Sequence, residues 1–175
     1  DLAAVSLAMV GAIIGFLKFN FTPAKIFMGD TGSMLIGLIS VVIAIKFIEL
    51  NKFTPIKSPD IYSAPALSVA ILIGPIFDTL RVFILRISNG VSPFTADRKH
   101  IHHRMLMLGF SHLQTTLILI TLSALCVTMA IVFRSYGNSV LLGLILAVCL
   151  LFNWAISFFL RSKERESVAL RNISA

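Results

Sequence analysis

The chain has 175 residues, 57% of them hydrophobic and 13% charged, with a mean hydropathy of +0.94. An ordinary soluble domain carries about 25% charged residues, so a soluble fold is excluded and an integral membrane protein is expected. A net charge of +7 on a soluble protein would suggest nucleic acid; here the basic residues flank apolar runs with no interleaved aromatics, which excludes nucleic acid and points to topology and anionic lipid.

A membrane-crossing helix needs about 20 mostly apolar residues. Five runs qualify, at 2–17, 33–50, 61–77 with its helix extending toward 87, 115–133 and 139–160. All should be helical, because lipid offers no partner to an open backbone. The expected fold is therefore all-α, a polytopic transmembrane bundle over 1–160 with a solvated, frayed tail at 161–175. Loops 18–32, 88–113 and the tail fall on one side, and loops 51–60 and 134–138 on the other. Eleven Lys and Arg lie on the first side and four on the second, which places the first side in the cytoplasm by the positive-inside rule. No internal repeat is visible. Asp1 opens close to an apolar run, and the chain begins without Met, as a piece of a longer protein would.

The first loop, with its flanks, reads Asn-Phe-Thr-Pro-Ala-Lys-Ile-Phe-Met-Gly-Asp-Thr-Gly-Ser over 20–33. Pro23 disfavours helix before it, and Gly29 and Gly32 permit a tight turn. Asp30, Thr31 or Ser33 can cap the helix that follows, and a helix start suits phosphate. Asp30 is a hard oxygen ligand of the kind magnesium takes alongside substrate phosphates, and Lys25 can face a diphosphate. The plainer alternative is a capped turn without chemistry. No Gly-Lys-Ser/Thr follows the glycines, so a nucleotide P-loop is excluded.

Within the third run, Pro75 and Gly74 invite a kink. Asp78 follows, with Arg81 one turn on as its expected partner. Its alternative role is to mark where the helix leaves the membrane. The second island, 92–103, carries Asp97, Arg98, Lys99, His100, His102 and His103. Imidazoles there can move protons or hold phosphate; zinc ligation and headgroup anchoring are the rivals, zinc lacking both cysteine and a His-Glu-x-x-His spacing. Lys46 and Glu49 read as a structural pair. Cys126 and Cys149 lack metal-ligand spacing and read as packing residues, as do Asn153 and Trp154, the latter with an interfacial share.

At these two islands the chain resembles the polyprenyl-phosphate N-acetylhexosamine-1-phosphate transferase family. The match is carried by Asn20, Phe27, Met28, Gly29, Asp30, Gly32 and Ser33, and by 90–103, Gly-Val-Ser-Pro-Phe-Thr-Ala-Asp-Arg-Lys-His-Ile-His-His. The resemblance implies a multi-span enzyme of the bacterial cytoplasmic membrane that is magnesium-dependent. Such an enzyme moves a sugar-1-phosphate from a UDP-HexNAc to undecaprenyl phosphate, releases UMP and starts a cell-envelope glycan. It implies magnesium at Asp30, catalytic roles for Asp30, His102 and His103, and substrate contacts from Asn20, Lys25, Asp97, Arg98, His100 and Arg104. A homodimer follows by the same analogy.

The His-Ile-His-His-Arg form resembles the GlcNAc branch. The MurNAc-pentapeptide branch usually reads His-His-His, and Arg104 stands where its last His would be; that branch is the runner-up. The family also carries an Asp-Asp pair on an earlier loop. This chain has none, so the C-terminal half of such an enzyme is expected, inactive by itself. Outside the family, the competing reading is a transporter, which would line its interior with ionisable residues.

Overall fold

The computed structural model describes residues 2–21, 24–53, 63–95 and 100–173. Six α-helices follow in order: α1 Leu2–Asn20, α2 Gly29–Phe53, α3 Ala64–Ser88, α4 Ile101–Leu108, α5 His112–Val132 and α6 Asn138–Ile173, with a 3-10 turn at Arg134–Tyr136 between the last two. Among the described residues there is no strand, and five helices are long and apolar enough to cross a membrane. The all-α multi-pass bundle is borne out.

The chain divides into two compact units, residues 1–59 and 60–175. The first holds α1 and α2. Neither span has a buried residue, and both are strongly apolar over most of their length, as lipid-facing or helix-covered segments are. At the end of α1, Phe21 N–H donates to Leu17 O at 2.8 Å as a last helical bond, and Lys25 N–H donates to Phe19 O at 3.0 Å. Gly29, at φ +70°, then opens α2, a backbone angle that favours glycine.

The second unit packs α3, α4, α5 and α6 round a core of Ala70, Ile73, Phe77, Ile101, Met105, Cys126, Ala130, Ile145, Cys149 and Ile156. Small residues let α3 and α5 approach closely. Ala66 and Ala70 are wholly buried, as are Cys126 and Ala130 opposite, and a Cβ on Gly74 would stand 3.6 Å from Ser123 Oγ. This is the small-residue seam that membrane helices use in place of a hydrophobic drive. Ser63 Oγ donates to Ala130 O at 3.3 Å, and Ala66 N–H to Asn138 Oδ1 at 3.4 Å. These contacts join the start of α3 to the end of α5 and the start of α6, so α3 and α5 run antiparallel and α6 runs back alongside α3. Cys126 and Cys149 are buried packing residues, as expected, and Lys46 pairs with Glu49 at 2.7 Å.

The helix around Gly74 and Pro75 continues without a break to Ser88, in line with the expected extension toward 87. Two expectations change. The loop 88–113 is not all loop: it contains α4, because Ile101, Met105 and Leu108 recur at helical spacing and the first two bury against the core. Beyond position 160, where a frayed tail was expected, α6 remains helical to Ile173.

Candidate active site

The polar end of the second unit is built on α4. Its last turn stops at Gly109, left-handed at φ +103°, with Gly109 N–H on Leu106 O at 2.9 Å and Phe110 N–H on Met105 O at 3.3 Å. This double bond closes a helix C-terminus in the way glycine permits. Ser111 then caps α5 reciprocally with Gln114: Ser111 Oγ accepts from Gln114 N–H at 3.2 Å, and Gln114 Oε1 accepts from Ser111 N–H at 2.8 Å. The turn between the two helices is thus fixed from both sides. It sets His112, the first residue of α5, against His102, with rings stacked at 5.4 Å between centroids and His102 Nε2 3.3 Å from His112 Nδ1. His103 meets the other side of His102 edge-on at 5.9 Å.

Asp78, on α3, reaches this group. Its Oδ2 accepts from His100 Nδ1 at 3.0 Å, its Oδ1 accepts from Ile101 N–H at 2.9 Å, and Arg81 Nη1 lies 3.8 Å from Oδ1. The expected Arg81 partner is present, but the nearer contacts are to α4. Arg104 turns the other way: Nη1 donates to Asn153 Oδ1 at 2.7 Å and Nη2 to Ser157 Oγ at 2.6 Å, both on α6. Lys163 Nζ, further along α6, donates to Met107 O at 2.9 Å. Below the site, Arg86 is buried and donates to Pro93 O, and Phe94 packs edge-on against Phe83 at 5.8 Å, which folds 92–95 back onto α3.

Two charges are displaced from their usual ranges. Burial holds His102 below the ordinary imidazole value, with His112 and His103 adding to the effect and Asp78 opposing it. Burial, reinforced by Arg81 and opposed by Asp78, brings Arg104 down to about 10, which leaves it charged at neutral pH.

Asp78 and His102 border a cavity of about 570 Å³ whose remaining wall is largely apolar, including Ile73, Phe77, Leu119, Val127 and Phe152. Since α3 and α5 are antiparallel, Asp78 and Thr116 mark its polar end and Ile71 and Val127 the opposite, apolar end. Such a cavity suits a ligand with an anionic head and a hydrocarbon tail.

In the first unit, Asp30 sits exposed in the first turn of α2, where a negative charge is favoured by the helix dipole. Ser33 Oγ donates to the Asp30 carbonyl at 3.0 Å. The helix starts at Gly29, so Asp30 lies inside the first turn and does not cap it. Asn20 closes α1, and its Oδ1 is buried without a hydrogen-bond partner among the described residues. Lys25 is exposed. A second apolar cavity of about 540 Å³ lies between α1 and α2, bordered by Met9, Phe16, Phe27 and Leu35 among others. Asp97, Arg98 and Lys99 lie outside the described residues. Asp30 fits magnesium as one ligand, since that ion takes one or two carboxylates and completes its shell with water and substrate phosphate.

Sequence reasoning left three participants out of the site: His112, Asp78's grip on α4, and the Asn153–Ser157 acceptor pair. The capping signature Ser111-x-x-Gln114, two residues after Gly109, is the signal that would have brought His112 back toward His102.

A family model described as glycosyl transferase family 4 matches residues 1–48. Decaprenyl-phosphate N-acetylglucosaminephosphotransferase of Mycolicibacterium smegmatis is 40% identical over 120 residues, 67% of this chain and 30% of that protein. A probable undecaprenyl-phosphate N-acetylglucosaminyl 1-phosphate transferase of Bacillus subtilis is 36% identical over 75% of this chain and 35% of its own length. Undecaprenyl-phosphate alpha-N-acetylglucosaminyl 1-phosphate transferase of Yersinia pestis is 32% identical over 98% of this chain and 49% of its own. The chain thus spans about half the length, or less, of the curated relatives it matches. No solved structure matches it. With its first loop inside the family match and 98% of its length aligned with a named transferase, the chain belongs to glycosyl transferase family 4, and the relatives it matches are named as polyprenyl-phosphate GlcNAc-1-phosphate transferases.

Proposed function

We propose that this chain supplies part of the active site of a magnesium-dependent enzyme that transfers GlcNAc-1-phosphate from UDP-GlcNAc to a polyprenyl phosphate. The observation that carries the reading is the cavity of the second unit, hydrocarbon-lined along its length and bordered by Asp78 and His102. A phosphate-headed isoprenoid needs both features. The names of the relatives supply the sugar and the acceptor.

In the reaction, an oxygen of the lipid phosphate bonds to the sugar-bearing phosphorus of UDP-GlcNAc. The bond from that phosphorus to the oxygen bridging to the uridine-bearing phosphate breaks, and UMP leaves with that oxygen. Such transfers depend on placing and neutralising charge more than on covalent chemistry. His102, whose charged form burial disfavours, can donate one hydrogen bond to a phosphate oxygen from the N–H of its neutral ring. His103 is the exposed imidazole beside it. Asp30 would hold magnesium, with Lys25 and Asn20 near the diphosphate; the ion's contribution when bound is to offset the charge of the pyrophosphate. Gathering charged groups at one end of the second unit suits surface chemistry better than a conducting path.

The test is labelled-UMP exchange with UDP-GlcNAc in membranes carrying the full-length protein. Asp30→Asn should lower exchange by at least about 100-fold, while Lys46→Ala, an exposed structural pair, should not change it. Wild-type exchange in Asp30→Asn would remove Asp30 from the site, and exchange with a different UDP-sugar alone would overturn the assignment of GlcNAc.

A further inference from the structure

α4 has only eight residues. Helices below about 12 residues are marginal unless something outside holds them. Its own N-cap residue, His100, makes no side-chain cap, and its first turn has no acid. Asp78, from a different helix, provides both: a carboxylate oxygen on the first amide, Ile101 N–H at 2.9 Å, and a negative charge at the positive end of the dipole.

The second oxygen constrains chemistry as well as structure. An ionised carboxylate can only accept, so the His100 nitrogen 3.0 Å from Asp78 Oδ2 must carry the hydrogen. In the neutral ring that leaves the lone pair on Nε2, the reverse of what free imidazole side chains prefer. Arg81, 3.8 Å from the other oxygen, balances the charge in this half-buried place. The same carboxylate borders the cavity together with His102, two residues along α4 from the ring it holds.

We propose that Asp78 is a positioning residue for the transfer reaction: by capping α4 from α3 and fixing the tautomer of His100, it sets which imidazole faces the bound phosphates meet. The reaction part rests on the function proposed above; the tautomer and the cap do not. Asp78→Asn separates them, since its amide oxygen still accepts from Ile101 N–H while its NH2 donates to His100 Nδ1, moving the ring hydrogen to Nε2. Asp78→Ala removes both.

The measurement uses full-length protein in nanodiscs with 15N-labelled histidine, His100 being assigned by its loss in His100→Gln. Wild type should show His100 protonated at Nδ1, and Asp78→Asn should show it at Nε2 with Ile101 amide exchange unchanged. In Asp78→Ala that exchange should accelerate roughly five- to tenfold, as loss of a cap does. Exchange of UMP label by Asp78→Asn should fall roughly 10- to 100-fold, by analogy with the loss seen when the carboxylate behind a metal-bound histidine is altered, through kcat more than KM. A wild-type His100 protonated at Nε2 overturns the dyad whatever the turnover. Full turnover in Asp78→Asn with the tautomer reversed overturns the reaction role. A wild type that exchanges no UMP defeats the proposed function instead, and the tautomer still decides the dyad.

Discussion

His102 is the side chain whose environment departs most from what its sequence neighbours announce. Four of five residues from 100 to 104 are polar, and a solvated basic cluster would be the natural reading. Burial against the core and the nearby His112 and His103 instead disfavour its charged form. The folded chain therefore refuses a proton that the unfolded chain accepts once the pH falls below the usual imidazole value of 6.5. Stability rises with pH wherever the unfolded state binds more protons. The His102 contribution is thus complete above 6.5 and is lost as the pH falls from there toward the lowered folded value. Thermal melts of detergent-solubilised protein should show this acid-side loss in wild type and a shallower one in His102→Gln. A slope identical in both would mean that His102 does not titrate abnormally. The three histidines of the motif were legible from the start because they fall within four positions of a polar island. His112 was not, because its approach depends on a two-helix turn whose signature lies in Gly109, Ser111 and Gln114, outside the motif itself.

α4 shows how a short helix acquires a fixed place. It is held at its start by Asp78 of α3, in its middle by Arg104 on Asn153 and Ser157, and near its end by Lys163 on Met107 O. Arg104 looked like a ligand for substrate when read in the motif, yet both of its terminal nitrogens are engaged with α6. A guanidinium fork can serve two acceptors a turn apart, whereas a lysine ammonium is a point donor. Arg104→Lys should keep the charge and lose one of the two bonds, at about 1.5–3 kcal/mol for a hydrogen bond to a charged group. A double-mutant cycle of Arg104→Ala with Asn153→Ala, read by denaturation, should return a coupling of about 1 kcal/mol or more. Strict additivity would show that the contact carries no weight. The helix escaped sequence reading because eight residues hold barely two turns and its buried positions, Ile101 and Met105, are separated by two histidines and an arginine. Asn153, read as packing, is better described as the acceptor that gives Arg104 its direction. The long helices were plain, since some 20 apolar residues in succession have few other solutions.

Across the membrane, charge gives the expected orientation, and the helix directions within the second unit agree with the alternation it requires. The end of α3, α4 and the start of α5 gather at one end through Asp78, Ile101, His102 and His112. The start of α3 meets the end of α5 and the start of α6 at the other, through Ser63, Ala130, Ala66 and Asn138. Asn89, just after α3, and Ser135, in the turn after α5, therefore belong to opposite faces; both are exposed. The native Cys126 and Cys149 are buried, so labelling is read as the increase that the introduced cysteine brings over the unmodified full-length protein. In intact cells, a membrane-impermeant maleimide should label Ser135→Cys and spare Asn89→Cys until the membrane is opened. Labelling of both in intact cells would contradict the antiparallel course of α3 and α5. The reverse pattern would keep the bundle but turn it over, placing the histidines on the outer face and the positive charge with them, against the bias that sets topology. A soluble UDP-sugar donor would then meet the wrong side, and the proposed chemistry would fail with the orientation.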